Sequence, residues 1–415
     1  MSKIIAIIGG GASGFFAAIQ AAQEVAQRNI DAKVHLYESS PNFLSKVRIS
    51  GGGRCNVTHH QYEPKLFCQN YPRGARELRS PFTKFQALNT VEWFKARGVT
   101  LVAESDGRMF PSTNTSETII ECFIKESQRL GVVLHSRQGI LSINQLEDGI
   151  EIQPKDSRPI KADQVLVATG SSKRGYELAK SLGHTITELA PSLFSFKIKS
   201  PFLRELSGVS FENASLTLKT SKKKFQQNGP LLITHHGLSG PAVLKLSAWA
   251  AREMKKDQYK ATLLVNWSGL ESMNEIEQFY LKLKTQSSSA LIKNTAPSFF
   301  TKRFWANFIE CLNIPLDKKW SELSKKDLNR VIEHTKGTPL EIQGQNRFKE
   351  EFVECGGVKT SEVDFKTMQS KIVPGLHFSG EILDIDGITG GFNFQNAWTT
   401  GYLAGTSMAM GVDRQ

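Results

Sequence analysis

The stretch KIIAIIGGGASGFFAAIQ, residues 3–20, decides the fold. Ile4 to Ile8 is apolar at every position, which is the pattern of a strand buried on both faces. It runs straight into Gly9 to Gly14, after which Phe15 to Arg28 reads as an alanine-rich helix and Val34 to Tyr37 as the next strand. A strand, helix and parallel strand need helices on both sides of their sheet, which a doubly wound α/β fold provides. In the turn, Gly9 permits the tight bend, Gly11 lets backbone approach a pyrophosphate, and Gly14 lets helix pack on strand. Ala12 and Ser13 complete the turn, and the helix N-terminus faces the phosphates. The spacing alone also describes a plain glycine turn. Glu38 strengthens the first reading: it ends the second strand, where a carboxylate accepts both hydroxyls of an adenosine ribose and repels a 2′-phosphate. A solvated acid at a strand end is the alternative.

The chain has 415 residues, more than one core usually supports, so two or three domains are expected. Its 40% hydrophobic and 22% charged residues match an ordinary globular protein. The apolar run at Ile4 is far shorter than the roughly 20 residues of a membrane span. It reads as a buried strand rather than a signal peptide, and the expectation is a cytoplasmic protein without a membrane partner. Cys55, Cys68, Cys122, Cys311 and Cys355 are scattered with no CxxC pair, so neither a metal site nor a dithiol centre is expected.

A further buried strand, Gln164 to Ala168, stops at Thr169 and Gly170. After Pro191 the character changes to alternating segments such as Ala214 to Lys219 and Ala261 to Val265, which predict antiparallel β structure. Helical spacing follows at Glu275 to Lys284, Ser298 to Cys311 and Lys325 to Thr335. From about residue 346 glycine-rich character returns, ending in a helix near Phe394 to Met410. The expected organisation is a Rossmann-like domain of residues 1–191 closed by the C-terminal segment 346–415. Between them lies an inserted, mainly antiparallel β domain, 192–345. Its β part covers about 192–270 and 337–345, and its small helical part about 271–336.

The net charge is +12, and residues 192–345 hold about 23 Lys and Arg against about 13 Asp and Glu. The excess therefore sits mostly in the insert and points to a polyanionic partner. Lys222, Lys223 and Lys224 form its densest run and suit RNA phosphates, while a solvated loop is the bland alternative.

KVRISGGGRCNVTH, residues 46–59, places Gly51, Gly52 and Gly53 where backbone passes close to something flat, amid Lys46, Arg48, Arg54 and Asn56. We read it as a flavin face, with an anion loop or a surface turn as alternatives. FAD is preferred over NAD because no catalytic dehydrogenase pattern follows. Cys55 reads either as buried filler or as an acid. In THHGLSGP, residues 234–241, His235 is a candidate acid or base, with a structural histidine the alternative. His235 and His236, read as strand neighbours, point to opposite faces and would not share a metal. Arg108 in GRMFP is compatible with an anion contact or with bracing a loop.

These motifs, with ATGSS from Ala168 and GLHFSGEILDIDGITGGFNFQNAW from Gly375, resemble a family of FAD-dependent oxidoreductases. It contains aminoacetone-oxidase-like, bile-acid-reductase-like and ribosomal dihydrouridine-synthase-like flavoproteins, and the resemblance spans essentially the whole chain. It implies that Ala168, Thr169 and Gly170 close over the adenosine side, with Ser171 departing from a common glycine. It implies also that Gly380 and Glu381 replace a Gly-Asp pair holding a ribityl hydroxyl. Asp384 lies in the next loop, as a ligand or a turn cap. Gly390, Gly391, Phe392 and Asn393 lead into a helix whose first amides face the flavin, where its dipole favours negative charge. His235 is preferred within its pair because the family motif resembles Thr-His-x-Gly.

The activity implied first is NAD(P)H-driven reduction of an activated C=C bond, with uridine in 23S ribosomal RNA as favoured substrate and dihydrouridine as product. His235 or Cys55 would supply the proton. With no second GxGxxG, NAD(P)H would bind only transiently. A small-molecule amine oxidase or enone reductase is the second implied reading. An RNA-binding flavoprotein with structural or redox-sensing FAD is the third.

Overall fold

The computed structural model describes residues 2–346 and 353–413. The chain divides into two compact units, Met1–Ala190 with Lys349–Gln415, and Pro191–Phe348.

The first unit is built on a seven-stranded sheet. Its order is Val363–Asp364, Gln369–Ser370, Leu376–Phe378, Gln164–Val167, Lys3–Ile8, Ala32–Tyr37 and Val133–His135. The last five strands run parallel, and the short pair at the other edge is antiparallel. Ile5, Ala6 and Ile7 are wholly buried at its centre, as a strand covered on both faces must be. Each such isoleucine contributes about 1.5–3 kcal/mol relative to an exposed one.

The first helix, Ala12–Gln27, starts three residues before the position predicted from the alanine run. Gly11 is its N-cap, so Ala12, Ser13 and Gly14 already form the first turn. Its small residues receive the last helix, Phe392–Asp413. A Cβ on Gly401 would stand 2.7 Å from the Ser13 carbonyl oxygen, and one on Gly405 2.5 Å from that of Ala17. These two glycines let the backbones of the first and last helices touch. Two antiparallel three-stranded sheets that the sequence reading does not anticipate also precede Gly170, one of Thr58–His59, Arg108–Pro111 and Leu101–Ala103 and one of Ile140–Leu146, Gly149–Pro154 and Ile160–Ala162.

The second unit contains a closed antiparallel barrel in the order Ser195–Ile198, Gly237–Ser239, Lys224–Thr234, Ser210–Lys219, Ala261–Asn266 and Thr338–Asn346. Alternation explains it: Ala214, Leu216 and Leu218 are buried while Ser215 and Thr217 between them are only half-buried and Lys219, the last strand residue, is exposed. The helices Met273–Gln286, Lys302–Cys311 and Lys325–Gly337 start at Ser272, Thr301 and Ser324, whose hydroxyls accept first-turn amides. They bury Tyr280, Trp305 and Trp320, the two tryptophan rings stacking nearly parallel with centroids 6.1 Å apart. Among the described residues no helix is long and apolar enough to cross a membrane.

Candidate dinucleotide-binding site

The three glycines of the first turn occupy three different environments. Gly9 has φ +113°, and a Cβ there would meet the Ala168 carbonyl oxygen at 2.5 Å. At Gly14 a Cβ would lie 1.9 Å from the Gly9 carbonyl oxygen, so only glycine lets the helix sit on the turn. At Gly11 a Cβ would meet nothing within 4 Å, which leaves the backbone open to a ligand. The helix has no side-chain cap and no acid in its first turn, so its amides and dipole are presented to an anion.

Glu38 reaches back to this turn. Its Oε2 accepts the Gly10 amide at 2.9 Å and its Oε1 the Ser40 amide at 2.7 Å, which fixes the carboxylate beside the glycines. Ala168 is held by its amide on the Ile8 carbonyl at 2.8 Å. Thr169 turns its hydroxyl toward Gly175, where a Cβ would come within 1.8 Å of Oγ1.

The C-terminal segment enters from the other side. Ser13 donates to Ser379 Oγ at 2.6 Å in a buried pair, so this predicted contact residue spends its hydroxyl inside the protein. Gly380, with φ +74°, donates its amide to Thr400 Oγ1 at 2.9 Å. Glu381 follows: Oε2 accepts Lys46 Nζ at 2.9 Å and Oε1 the Glu354 amide at 3.2 Å. Lys46 also donates to Ser171 Oγ at 3.1 Å. Asp384 donates its amide to the Val358 carbonyl at 3.0 Å.

Gly51, Gly52 and Gly53 have φ of +58°, +68° and +83°, a left-handed run that bends the chain after Val47. Cβ atoms on Gly52 and Gly53 would meet nothing within 4 Å. Arg54 does not point freely from this loop. It pairs with Glu104 at 2.8 Å and lies 4.0 Å over the Phe110 ring. Arg108 shares Glu104, at 2.9 Å, and takes Asp106 at 2.7 Å, so it braces its loop. Arg48 pairs with Glu117.

Cys55 corrects an expectation. It is fully buried, and burial pushes its thiol up to about 12, with Ser50 opposing weakly. A group so enclosed cannot touch a substrate in this arrangement, and the buried-filler reading replaces the acid.

Three residues of the site, Thr58, His59 and Tyr71, escaped the sequence reading, and they join Asn56, which it named. His59 Nδ1 lies 3.0 Å from the Gly390 carbonyl oxygen, and its ring stacks on Phe392 at 4.8 Å. The Asn56 amide, oriented to satisfy both partners, accepts the Gly391 amide at 3.0 Å and donates to the Thr58 carbonyl at 3.0 Å. Thr58 donates to Gln395 Oε1 at 2.6 Å, and Tyr71 to the Phe392 carbonyl at 2.6 Å. The signal was the alternation after the glycines: Asn56 and Thr58 are two apart and both turn to the last helix. Asn393 closes the preceding loop by exchanging two hydrogen bonds with Gly387, at 2.8 and 2.9 Å. Below it, buried Asp386 pairs with Arg73, Oδ1 accepting Nε at 2.5 Å.

In the second unit His235 and His236 are exposed and form the two-residue turn between Lys224–Thr234 and Gly237–Ser239. They are not strand residues, so the opposite-face argument does not apply to them. Among the described residues no cluster of three metal-ligating side chains exists. Lys222, Lys223 and Lys224 are exposed at another hairpin of the barrel.

The residues present fit a bound dinucleotide. The Gly11 and Gly52–Gly53 backbones face open space. The Tyr176 hydroxyl and Asn396 Oδ1 are buried without a hydrogen-bond partner among the described residues. Burial and the neighbouring Glu381, Glu354 and Asp384 keep Tyr176 a protonated donor.

A parallel sheet whose first turn combines these glycines with Glu38 defines a Rossmann-type dinucleotide-binding fold. The chain belongs to the family described as HI0933-like protein Rossmann domain, which matches residues 3–407. It is 29% identical to a 3-dehydro-bile acid delta(4,6)-reductase of Clostridium scindens, over 98% of both chains. It is 27% identical to a ribosomal RNA dihydrouridine synthase of Escherichia coli, over 95% of both. Among solved structures, a 3-ketosteroid-delta4-(5alpha)-dehydrogenase of Rhodococcus jostii RHA1 has a TM-score of 0.51 at 12% identity, covering 98% of this chain and 97% of that one. That last likeness is one of fold.

Proposed function

We propose that this protein is an FAD-dependent oxidoreductase that reduces an activated carbon–carbon double bond, with uridine in 23S ribosomal RNA as its substrate. The observation that carries the cofactor reading is the meeting of the open Gly11 turn, Glu38 and the Ser379–Glu381 segment within one unit. Bound FAD would supply hydride chemistry that side chains lack.

In this reading Glu38 holds the adenosine ribose and the first-turn amides hold the pyrophosphate. Glu381, with Lys46 neutralising it, serves the ribityl chain. The start of the last helix, held by Tyr71, Asn56 and Asn393, favours negative charge beside it. His235, exposed at its turn, is the proposed donor of the proton that completes the reduction. NAD(P)H serves as a transient reductant.

The RNA substrate is supported by the relatives named as ribosomal RNA dihydrouridine synthases and by the basic second unit. A uridine must leave its stack to be reduced. The Clostridium scindens relative favours a second reading, reduction of a small conjugated ketone. The test is to reduce the reconstituted flavoprotein with NADH or NADPH and offer protein-free precursor rRNA or a bile-acid dienone. Reoxidation by the RNA, with a mass gain of two hydrogens at one uridine, is expected. Reoxidation by the dienone alone would replace the RNA reading, and failure to retain FAD would overturn the cofactor reading.

A further inference from the structure

One hairpin of the barrel breaks a rule of sheet pairing. Strands Ser210–Lys219 and Lys224–Thr234 register so that Lys219 lies directly opposite Lys224. Like charges in that position cost stability. The connection between them adds Lys222 and Lys223.

In a solvated loop these lysines would splay apart, but this turn is latched. The Thr220 amide donates to the Lys223 carbonyl at 2.9 Å, and the Lys223 amide returns to Thr220 Oγ1 at 3.0 Å. Ser221 gives its amide and its hydroxyl to Asp257, at 2.7 and 2.6 Å. Lys223 Nζ meets Glu253 Oε1 at 2.9 Å, and Lys256 approaches the same carboxylate at 3.9 Å. The Lys223 hydrogen bond holds Glu253 below the usual carboxylate range, as Ser221 does Asp257.

Both acids are therefore spent on the latch. Among the described residues none of Lys219, Lys222, Lys224 and Lys260 forms an ion pair, although Lys222 adds its field on Asp257. Lys260 leads into Ala261–Asn266, whose Thr262 faces Lys219 and engages Glu341 at 2.9 Å. Next to the lysines the outward side chains of the hairpin are Thr217, Gln226, Ser215 and Asn228, polar and uncharged, while the exposed acid Glu212 lies farther along the first strand.

We propose that this latched lysine hairpin binds the phosphate backbone of RNA, with Thr217, Gln226 and Asn228 prolonging it as a hydrogen-bonding strip. The inference rests on the reading of RNA as substrate and assigns the surface that holds it. The four lysines relieve their repulsion when phosphates lie between them, and such contacts fix position without reading sequence. A membrane suits the surface less well. Interfacial binding needs an apolar anchor, and the exposed large apolar residue of these strands, Leu232, lies at the far end of the hairpin.

The test compares the FAD-loaded full chain, the triple variant K219E/K222E/K224E, and a control of equal charge change on the helical part, K302E/K325E/K326E. Binding to a uridine-rich single-stranded RNA is titrated across salt concentrations. The hairpin variant is expected to lose at least tenfold in affinity, with the slope of log K against log salt falling by about 2 units for three lost contacts. The control is expected to lose less than threefold, and all three proteins to retain FAD. Equal losses in both variants would overturn the hairpin as a surface and leave the RNA reading standing. A wild-type protein with no salt-dependent RNA binding would overturn the RNA reading itself. Loss of binding only to anionic phospholipid vesicles would replace RNA with a membrane.

Discussion

Lys46 Nζ lies 2.9 Å from Glu381 Oε2, joining the segment before the glycine loop to the acid after Gly380. Lys46 is 56% exposed, so the pair itself adds no more than about 1 kcal/mol to stability. Its proposed role is toward the cofactor. Glu381→Ala is expected to weaken FAD binding about tenfold, the loss of one charge-assisted hydrogen bond. The melting temperature of the apoprotein should hardly move. Flavin fluorescence titration and a thermal melt check both halves.

Ser379→Ala is expected to behave differently, because its hydroxyl is wholly buried against Ser13. The Ser13 hydroxyl loses its acceptor at a cost of about 1–3 kcal/mol. The double variant S13A/S379A should cost less than the sum of the two singles, measured by urea unfolding.

Asp386→Asn should be the most damaging single change to the first unit. It leaves the Arg73 guanidinium, 12% exposed, facing a neutral amide. Breaking a buried pair from one side costs about 3–5 kcal/mol. Denaturation midpoints test this, and an R73M/D386L pair should recover part of the loss.

Cys55→Ala is expected to lower stability by about 1–2 kcal/mol through the small cavity it leaves. Turnover with either substrate should stay within twofold of wild type, because the buried thiol does not exchange protons with substrate. A hundredfold loss of turnover with the fold intact would restore Cys55 as the acid.

Acid should destabilise the first unit before its carboxylates titrate. Burial lowers His377 to about 4, opposed by the carbonyls of Gly375 and Val165, and it also depresses His35 and His135, whose rings share a 3.0 Å contact. A histidine lowered on folding contributes stability that is complete above about pH 6.5 and lost as pH falls through its folded value. For His377 the full swing is about 3 kcal/mol. The melting temperature should fall between pH 6.5 and 4, and H377F should flatten that fall.

The strand, turn and acid of the first forty residues were legible because their interactions are local and glycine has few substitutes there. The start of the first helix was misplaced because Ala12 to Gly14 look like turn, and only Gly11 as N-cap shows otherwise. The His235–His236 turn was hidden for a related reason. Tight hairpins usually carry glycine or asparagine at positive φ, and neither histidine has positive φ. The contacts of Thr58 with Gln395 and of Arg73 with Asp386 span 337 and 313 positions, and no local pattern announces such pairs. Cys55 was undecided because burial depends on what the fold lays over it.

The first and last helices touch through Gly401 and Gly405, and Ser13 waits for a partner 366 positions away. At roughly 5–20 residues per second on the ribosome, that partner arrives about 20–70 s after Ser13 is made. The entire second unit is synthesised in the interval. The nucleotide-binding turn is therefore completed only after the whole second unit has been made, and flavin loading waits for the segment that carries Ser379.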